Sequence, residues 1–276
     1  MAQVGFHGLI GVGLGRLLAP GGPQGALGPG EGSGAQAGAP SGSVKDDPGG
    51  NWRWGLVVGS ILPDADLFLL GPLYLVNSQL GLAMHRTFTH SLVTAALVLA
   101  YFRRRSGGGR DKAMWSLGLG VAVGMAVHAL TDLVFWFSGV DLLWPLGLLG
   151  LPSWINFWEN WTNPPLVPKL LGAADYLALA LFFLYARRRA QAVGTDLGFV
   201  PRVNRYFQLS LVLWLAYTAL ALTPISASLF DMVHYAVFIV VLLPMLLQTA
   251  VRMRATFSAP WPTARGALGN APAARG

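Results

Sequence analysis

The chain has 276 residues, of which 54% are hydrophobic and only 11% are charged, whereas a soluble domain carries about 25% charged residues. This composition argues against a soluble globular protein and a disordered chain. The basic residues are too thinly spread for a nucleic-acid-binding surface, despite the net charge of +7, so no nucleic acid partner is expected. The absence of cysteine excludes disulfides, thiolate metal sites and a cysteine nucleophile. The sequence therefore predicts an all-α integral membrane protein.

Apolar segments recur along the chain between polar or basic residues. They predict a polytopic bundle of about seven hydrophobic helices, at 3–19, 53–70, 89–103, 113–138, 170–186, 206–223 and 229–251. A membrane-spanning helix needs about 20 residues. The first three segments are short or polar at one end, so we expect them to be tilted, buried or only partly spanning. Thr87 or Thr89 is the expected N-cap of the third helix.

Two segments lack the composition of a packed helix. Residues 20–50 are dominated by Gly and Pro, which predicts a flexible loop after the first helix. Residues 257–276 are predicted to form a disordered tail for the same reason. The first basic residue, Arg16, follows the first apolar run, so this run is predicted to be a retained helix rather than a signal peptide.

The positions of the basic residues predict the orientation in the membrane. Three clusters fall between or after predicted helices: Arg103, Arg104, Arg105, Arg110 and Lys112; Arg187, Arg188, Arg189, Arg202 and Arg205; Arg252 and Arg254. The positive-inside rule assigns these clusters to the cytoplasm. If the seven predicted helices cross the membrane in alternating directions, only Arg86 and Lys169 of the 19 basic residues lie on the extracytoplasmic side. The prediction is an N-terminus outside and a C-terminus inside.

Polar residues within apolar segments are functional candidates, because burying them in a membrane is unfavourable. They occur in four places: His7 near the start of the first helix, Asp64 and Asp66 in GSILPDAD, His85 and His90 in MHRTFTHS, and His128 and Asp132 in VHALTD. The predicted topology places all of them towards the outer ends of the first four helices. We therefore expect them to form one site on the extracytoplasmic side.

The residue types and their spacing are typical of a metal site. His128 and Asp132 are four residues apart and share one helix face, and Asp64 and Asp66 follow a proline that ends or kinks a helix. Histidine and aspartate together suit a divalent metal, Zn first and Mn or Fe as alternatives, and two carboxylates can bridge two metals. Each residue taken alone also fits a structural role, such as a hydrogen bond from His7 to a neighbouring helix.

Taken together, GSILPDAD, HRTFTHSL, HALTD and the later DLLWP resemble the YdjM-like family of inner-membrane, metal-dependent hydrolases over about residues 1–150. This family is thought to be distantly similar to zinc-dependent phospholipase C and P1-type nucleases. The resemblance implies that the metal ligands are His7, Asp64, His85, His90, His128 and Asp132, with Asp66 either a ligand or a group behind the ligands. It also implies a location in the inner membrane.

The implied reaction uses a water activated by the metal to attack a phosphoester, for example in a phospholipid or a lipid-linked small molecule. Asp66 is the candidate general base, and Arg86 is the candidate for binding an anionic group such as phosphate. The chain is predicted to divide into a metal-site helical domain at 1–160, further transmembrane helices at 161–256 and the tail. The oligomeric state is not indicated.

Further residues could bear on the substrate. Trp154, Phe157, Trp158 and Trp161 follow i, i+3, i+4, i+7 and predict one aromatic face of a helix at the membrane interface, together with Trp136 and Trp144. Such a helix fits a lipid substrate, although simple anchoring gives the same pattern. Asp231 and His234 could join the rim of the site or form a separate structural pair.

Two other functions fit the same residues. A metal-ion or proton-coupled transporter would also place His and Asp at membrane depth, but along a path through the bilayer. A non-catalytic membrane scaffold would keep the metal only for structure. The clustering of the strong candidates at one end of the helices favours a site over a path.

Overall fold

A computed structural model describes residues 4–18, 48–135, 139–160, 164 and 166–260. Within these ranges the chain is almost entirely helical, as predicted. The α-helices are α1 (Val4–Leu17), α2 (Pro48–Ile61), α3 (Leu67–Val76), α4 (Ser78–His85), α5 (Leu92–Arg105), α6 (Lys112–Phe135), α7 (Leu166–Val193), α8 (Val200–Ala221), α9 (Ala227–Val237), α10 (Leu243–Arg252) and α11 (Arg254–Ser258).

Three helices of the described chain are long and apolar enough to cross a membrane, and a bent helix pair makes a fourth if it counts as one span. Three are continuous: α6, α7, and Ala227–Arg252, in which a π-helical turn joins α9 to α10. The fourth is the pair Pro48–Gly59 and Leu62–Leu73, which is bent by 50°. A helical membrane protein fits these findings, whereas seven spans and the orientation stay predictions.

The predicted second helix is bent because of its proline. A 3-10 helix, Leu62–Asp66, separates α2 from α3 and has Pro63 in its first turn. Since proline has no N–H, it cannot continue the hydrogen-bond ladder of an α-helix. Asp64 and Asp66 lie in this 3-10 helix, at the bend between α2 and α3.

Several predicted boundaries are wrong. α2 begins at Pro48, so residues 48–50 of the predicted loop are helical, and α11 includes the first two residues of the predicted tail. Residues 20–47 of that loop and 261–276 of that tail lie outside the described residues. The N-cap of α5 is Ser91 rather than a threonine, because its side chain accepts the Val93 N–H. α7 includes Arg187, Arg188 and Arg189, which were assigned to a loop.

The predicted aromatic helix around residue 154 is also wrong. Trp154–Ile155 is a short strand, β2, which pairs antiparallel with β1, Val140–Asp141. Trp154 and Phe157 are exposed, but they do not share a helix face. Trp136 and Trp161 lie outside the described residues.

The closest helix contact is between α2 and α6, and glycines make it possible. A Cβ atom on Gly59 would lie 2.1 Å from the carbonyl oxygen of Val121, and one on Gly124 would lie 2.6 Å from that of Leu56. Gly55 and Gly120 have similarly short distances to the opposite backbone, 2.6 and 2.4 Å. Glycines four residues apart on both helices therefore bring the two backbones together, as in small-residue packing between membrane helices.

The main apolar core joins both halves of the chain. It contains Val12 of α1 and Ile61 of α2 together with Tyr176, Phe182 and further buried residues of α7 to α11. The division at residue 160 stays a prediction. α1 thus packs between the early helices and α7, which fixes the position of His7.

Candidate metal centre

Six buried residues from four parts of the chain lie together. α1 contributes one, the 3-10 turn after α2 another, the segment from α4 to the 3-10 helix Phe88–His90 two, and α6 two. They are His7, Asp64, His85, His90, His128 and Asp132, and each is at most 3% exposed. The structure therefore brings together all of the predicted ligands except Asp66.

The six residues form two groups that could each hold a metal ion. One group is His7, His128 and Asp132, and the other is Asp64, His85 and His90. Within each group the ligand atoms lie within 4.8 Å of one another. Two histidines and a carboxylate in each group are suitable donors for a first-row divalent metal.

The two carboxylates connect these groups. Asp132 Oδ1 lies 2.8 Å from His7 Nε2, while its Oδ2 lies 3.1 Å from His90 Nε2. Asp64 Oδ1 lies 3.3 Å from His85 Nε2 and 3.7 Å from His128 Nε2. Each carboxylate therefore contacts imidazoles of both groups, an arrangement in which carboxylates can bridge two metals.

Hydrogen bonds at Nδ1 orient three of the imidazoles. His128 Nδ1 donates to the carbonyl oxygen of Ser60 at 2.8 Å, and His85 Nδ1 donates to Asp66 Oδ1 at 2.6 Å. His90 Nδ1 lies 2.9 Å from Thr89 Oγ1, whose hydroxyl proton is donated to Asp66 Oδ2. The imidazole must therefore donate in this contact. In the neutral form, all three rings direct the lone pair of Nε2 into the cluster.

These inward lone pairs face acceptors rather than donors. His90 Nε2 and His128 Nε2 are only 3.0 Å apart, and both lie near a carboxylate. Asp64 Oδ2 and His7 Nδ1 are buried without a hydrogen-bond partner among the described residues. Because buried polar atoms are nearly always paired, this set of donors fits a bound cation.

A proton competes with a metal for His85. Burial lowers the pKa of this imidazole, but its hydrogen bonds to Asp64 and Asp66 outweigh burial and raise the pKa to about 9. Since a metal binds only the deprotonated nitrogen, it must displace that proton.

Asp66 lies behind the cluster and supports two of its histidines. One oxygen accepts from His85, and the other accepts from the Thr89 hydroxyl, which in turn accepts from His90. Of the two roles that the resemblance implies, this geometry favours positioning over metal ligation. The general-base role of Asp66 is not supported by its contacts, because both of its oxygens already accept hydrogen bonds.

We expect Asp66→Ala to weaken metal binding by about 10–100-fold, the effect typical of losing a group that orients metal-binding histidines. The measurement is a titration of the purified protein with Zn²⁺ against a competing chelator. Glu159→Ala, which removes an exposed acid, is the control. Unchanged affinity in Asp66→Ala would show that the two histidines do not need this support.

Arg86 is buried beside the β-ribbon. Its guanidinium donates to the carbonyl oxygen of Gly139 at 3.4 Å, and its own carbonyl accepts the Asp141 N–H at 3.0 Å. It follows His85 directly but is not part of either metal-binding group among the described residues. Its anion-binding role stays a prediction.

Sequence reasoning missed three contributors. Ser60 acts through its backbone, and Thr89 acts through a hydroxyl that links Asp66 to His90. Asp175 of α7 is 3% exposed and accepts the backbone N–H of Gly5, two residues before His7. An acid within an apolar helix was a visible signal for Asp175, whereas nothing in the sequence marked Ser60.

His234 does not join the metal-binding groups of the described chain. Its ring is fully buried, with centroids 5.2 Å from Tyr176 and 5.8 Å from Tyr217. Asp231 likewise does not belong to either group. These contacts place His234 in the core between α7, α8 and α9.

A model of a protein family, described as YdjM inner membrane protein, matches residues 1–222. The match includes all six clustered residues and continues through α8, well beyond the motifs that carry the resemblance. Neither the curated proteins nor the solved structures give a match. The more distant similarity to phospholipase C stays a prediction.

Proposed function

The chain belongs to the YdjM inner membrane protein family, and we propose that it is a membrane-bound, metal-dependent hydrolase of phosphoesters. The substrate class is a phospholipid or a lipid-linked molecule, and the site faces the extracytoplasmic side. The observation that carries the proposal is the cluster of four buried imidazoles packed around two buried carboxylates, in which Asp64 Oδ2 has no hydrogen-bond donor among the described residues.

The donor set fits a divalent metal, with Zn²⁺ as the first candidate and Mn²⁺ or Fe²⁺ as alternatives. His7, His128 and Asp132 would hold it on one side of the cluster, and Asp64, His85 and His90 on the other. Bound there, a divalent metal supplies Lewis acidity and a water of lowered pKa. The four histidines are uncharged when they bind a metal, so the two carboxylates supply the negative charge of the cluster. This charge suits divalent cations.

The protein's own residues perform the remaining tasks. The Ser60 carbonyl and Asp66 fix the tautomers of His128 and His85, so that Nε2 stays available. The buried surroundings keep bulk water away, which strengthens electrostatic interactions with a reacting phosphoryl group. Arg86 is the proposed contact for the phosphate, since its guanidinium can pair with two phosphate oxygens.

The test combines metal analysis with an assay of hydrolysis. We expect the purified protein to contain metal and to release a phosphorylated headgroup from phospholipid vesicles. His128→Ala and Asp64→Ala should lose both properties, because each residue contacts the other metal-binding group as well as its own. His234→Phe is the matched control, since it removes a buried histidine outside the cluster and suits its aromatic surroundings.

Three outcomes would contradict the proposal. Retention of metal in both variants would mean that the cluster is not the metal site. Metal without cleavage of any phosphoester would favour a structural metal in a scaffold. Metal-dependent ion flux into liposomes without hydrolysis would favour a transporter.

A further inference from the structure

An apolar groove lies between α2, α5 and α6, outside the metal cluster. Its volume is about 480 Å³, within the range of ligand pockets. Its walls are almost entirely carbon, and its lining includes Val58 of α2, Val121 of α6, and Leu97, Val98 and Tyr101 of α5. On α5, Leu97 and Val98 each lie three or four positions from Thr94 and from Tyr101, so these residues form one face of that helix.

One end of the groove is lined by residues that are close in sequence to the metal cluster. Thr94, which lines the groove, follows His90 by one helical turn, and Leu62 in the opposite wall precedes Asp64 by two residues. From Thr94 the lining continues to Tyr101, which is about 10 Å along α5 at 1.5 Å per residue. The groove therefore runs along α5 in the direction that leads away from the metal cluster.

Thr94 has a hydroxyl group that the protein does not satisfy. The side chain is 5% exposed, and Oγ1 has no hydrogen-bond partner among the described residues. Two other buried helical threonines bond to the carbonyl four residues earlier: Thr131 to Val127 at 2.7 Å and Thr249 to Met245 at 2.8 Å. Since buried hydroxyls normally have partners, Thr94 indicates a ligand with a hydrogen-bonding atom at this end of the groove.

The dimensions favour a flexible chain over a helix as the occupant. A helix about 10 Å across fills roughly 800 Å³ over 10 Å of its length, which is more than the groove offers. A hydrocarbon chain is narrower and needs no hydrogen bonds from the walls. In a membrane protein, the surrounding bilayer supplies such chains at high concentration.

We propose that the groove holds one acyl chain of a membrane phospholipid and that the Thr94 hydroxyl donates to an ester oxygen of the same molecule. The headgroup then lies beside the metal cluster and the chain follows the groove along the helices, as a lipid does in a bilayer. This inference rests on the proposed function for the reaction of the headgroup, but binding of the chain can be measured separately.

The test uses proteoliposomes that contain phosphatidylethanolamine with a photoactivatable diazirine in the middle of one acyl chain. After irradiation, mass spectrometry locates the labelled residues. We expect the label to concentrate on groove-lining residues of α2 and α5. Val98→Trp, which fills the groove, should abolish this labelling, whereas Ala100→Trp on an exposed part of the same helix should not change it. Thr94→Val should reduce it by about 2–10-fold, as expected for one lost hydrogen bond.

Uniform labelling of groove and outward faces, or equal loss in Val98→Trp and Ala100→Trp, would overturn the proposal. Disulfide crosslinking between single Val98→Cys residues of two copies of this cysteine-free chain would overturn it in favour of a second copy as occupant. His128→Ala separates the two proposals: it should lose metal and hydrolysis but keep the groove label. Groove labelling in a wild type that cleaves no phosphoester would support the groove while contradicting the hydrolase.

Discussion

Replacing Asp132 with alanine is expected to lower metal affinity by more than a hundredfold and to remove metal from both groups at once. Its Oδ1 lies 2.8 Å from His7, while its Oδ2 lies 3.1 Å from His90 and 3.5 Å from His128. Losing a group that merely orients a ligand already costs about 10–100-fold. Losing a carboxylate that also neutralises the charge of the metal should cost more, because Asp64 then has the only carboxylate left among the six clustered residues.

The His7→Ala variant provides a comparison for the metal content of Asp132→Ala. His7 belongs to one group only and contacts Asp132 through one nitrogen, so its loss should affect one group more than the other. The measurement is the metal content per chain after dialysis against graded concentrations of chelator, for wild type and both variants. An Asp132→Ala protein that keeps the wild-type metal content would contradict the bridging role.

A methyl group at Gly59 should destabilise the fold, although alanine is the better helix former. Its Cβ would lie 2.1 Å from the carbonyl oxygen of Val121, and this backbone atom cannot rotate away as a side chain would. α2 and α6 would have to separate, which would move the Ser60 carbonyl away from His128. We expect Gly59→Ala to cost about 3 kcal/mol or more, at the upper end of overpacking effects, and to weaken metal binding.

Gly13→Ala is the matched control for this substitution. A Cβ there meets no atom within 4 Å, so only helix propensity should count. Alanine gains about 1 kcal/mol over glycine in a helix interior. The two substitutions should therefore change the thermal stability of the detergent-solubilised protein in opposite directions. Equal effects would show that α2 and α6 do not approach as closely as described.

The sequence predicted the helices and all six residues of the cluster because both leave local signals. Apolar runs long enough to span a bilayer are visible without tertiary information. Ionisable residues such as His128 and Asp132 stand out within those runs, since burying them without a partner is unfavourable. Their spacing of four residues further predicted a shared helix face.

Other features depend on tertiary contacts that no local pattern encodes. The aromatic spacing at 154–158 suggested a helix, but the segment pairs with Val140–Asp141 as a strand instead. Asp66 has the same residue type and neighbourhood as Asp64, and only the bend at the 3-10 turn places it behind His85. The glycines of α2 and of α6 occur four residues apart in the sequence. This spacing alone does not show which other helix each of them packs against.

The six clustered residues come from four separate segments of the chain. Metal binding therefore depends on the packing of these segments in the membrane. α1, the bent α2–α3 pair, the α4–α5 segment and α6 must all be in place before the six ligands meet. A metal that binds only this assembled form stabilises it in proportion to the logarithm of the free metal concentration. Metal supply would then determine how much of the newly inserted protein completes its fold, so that metal shortage lowers the amount of protein that survives proteolysis.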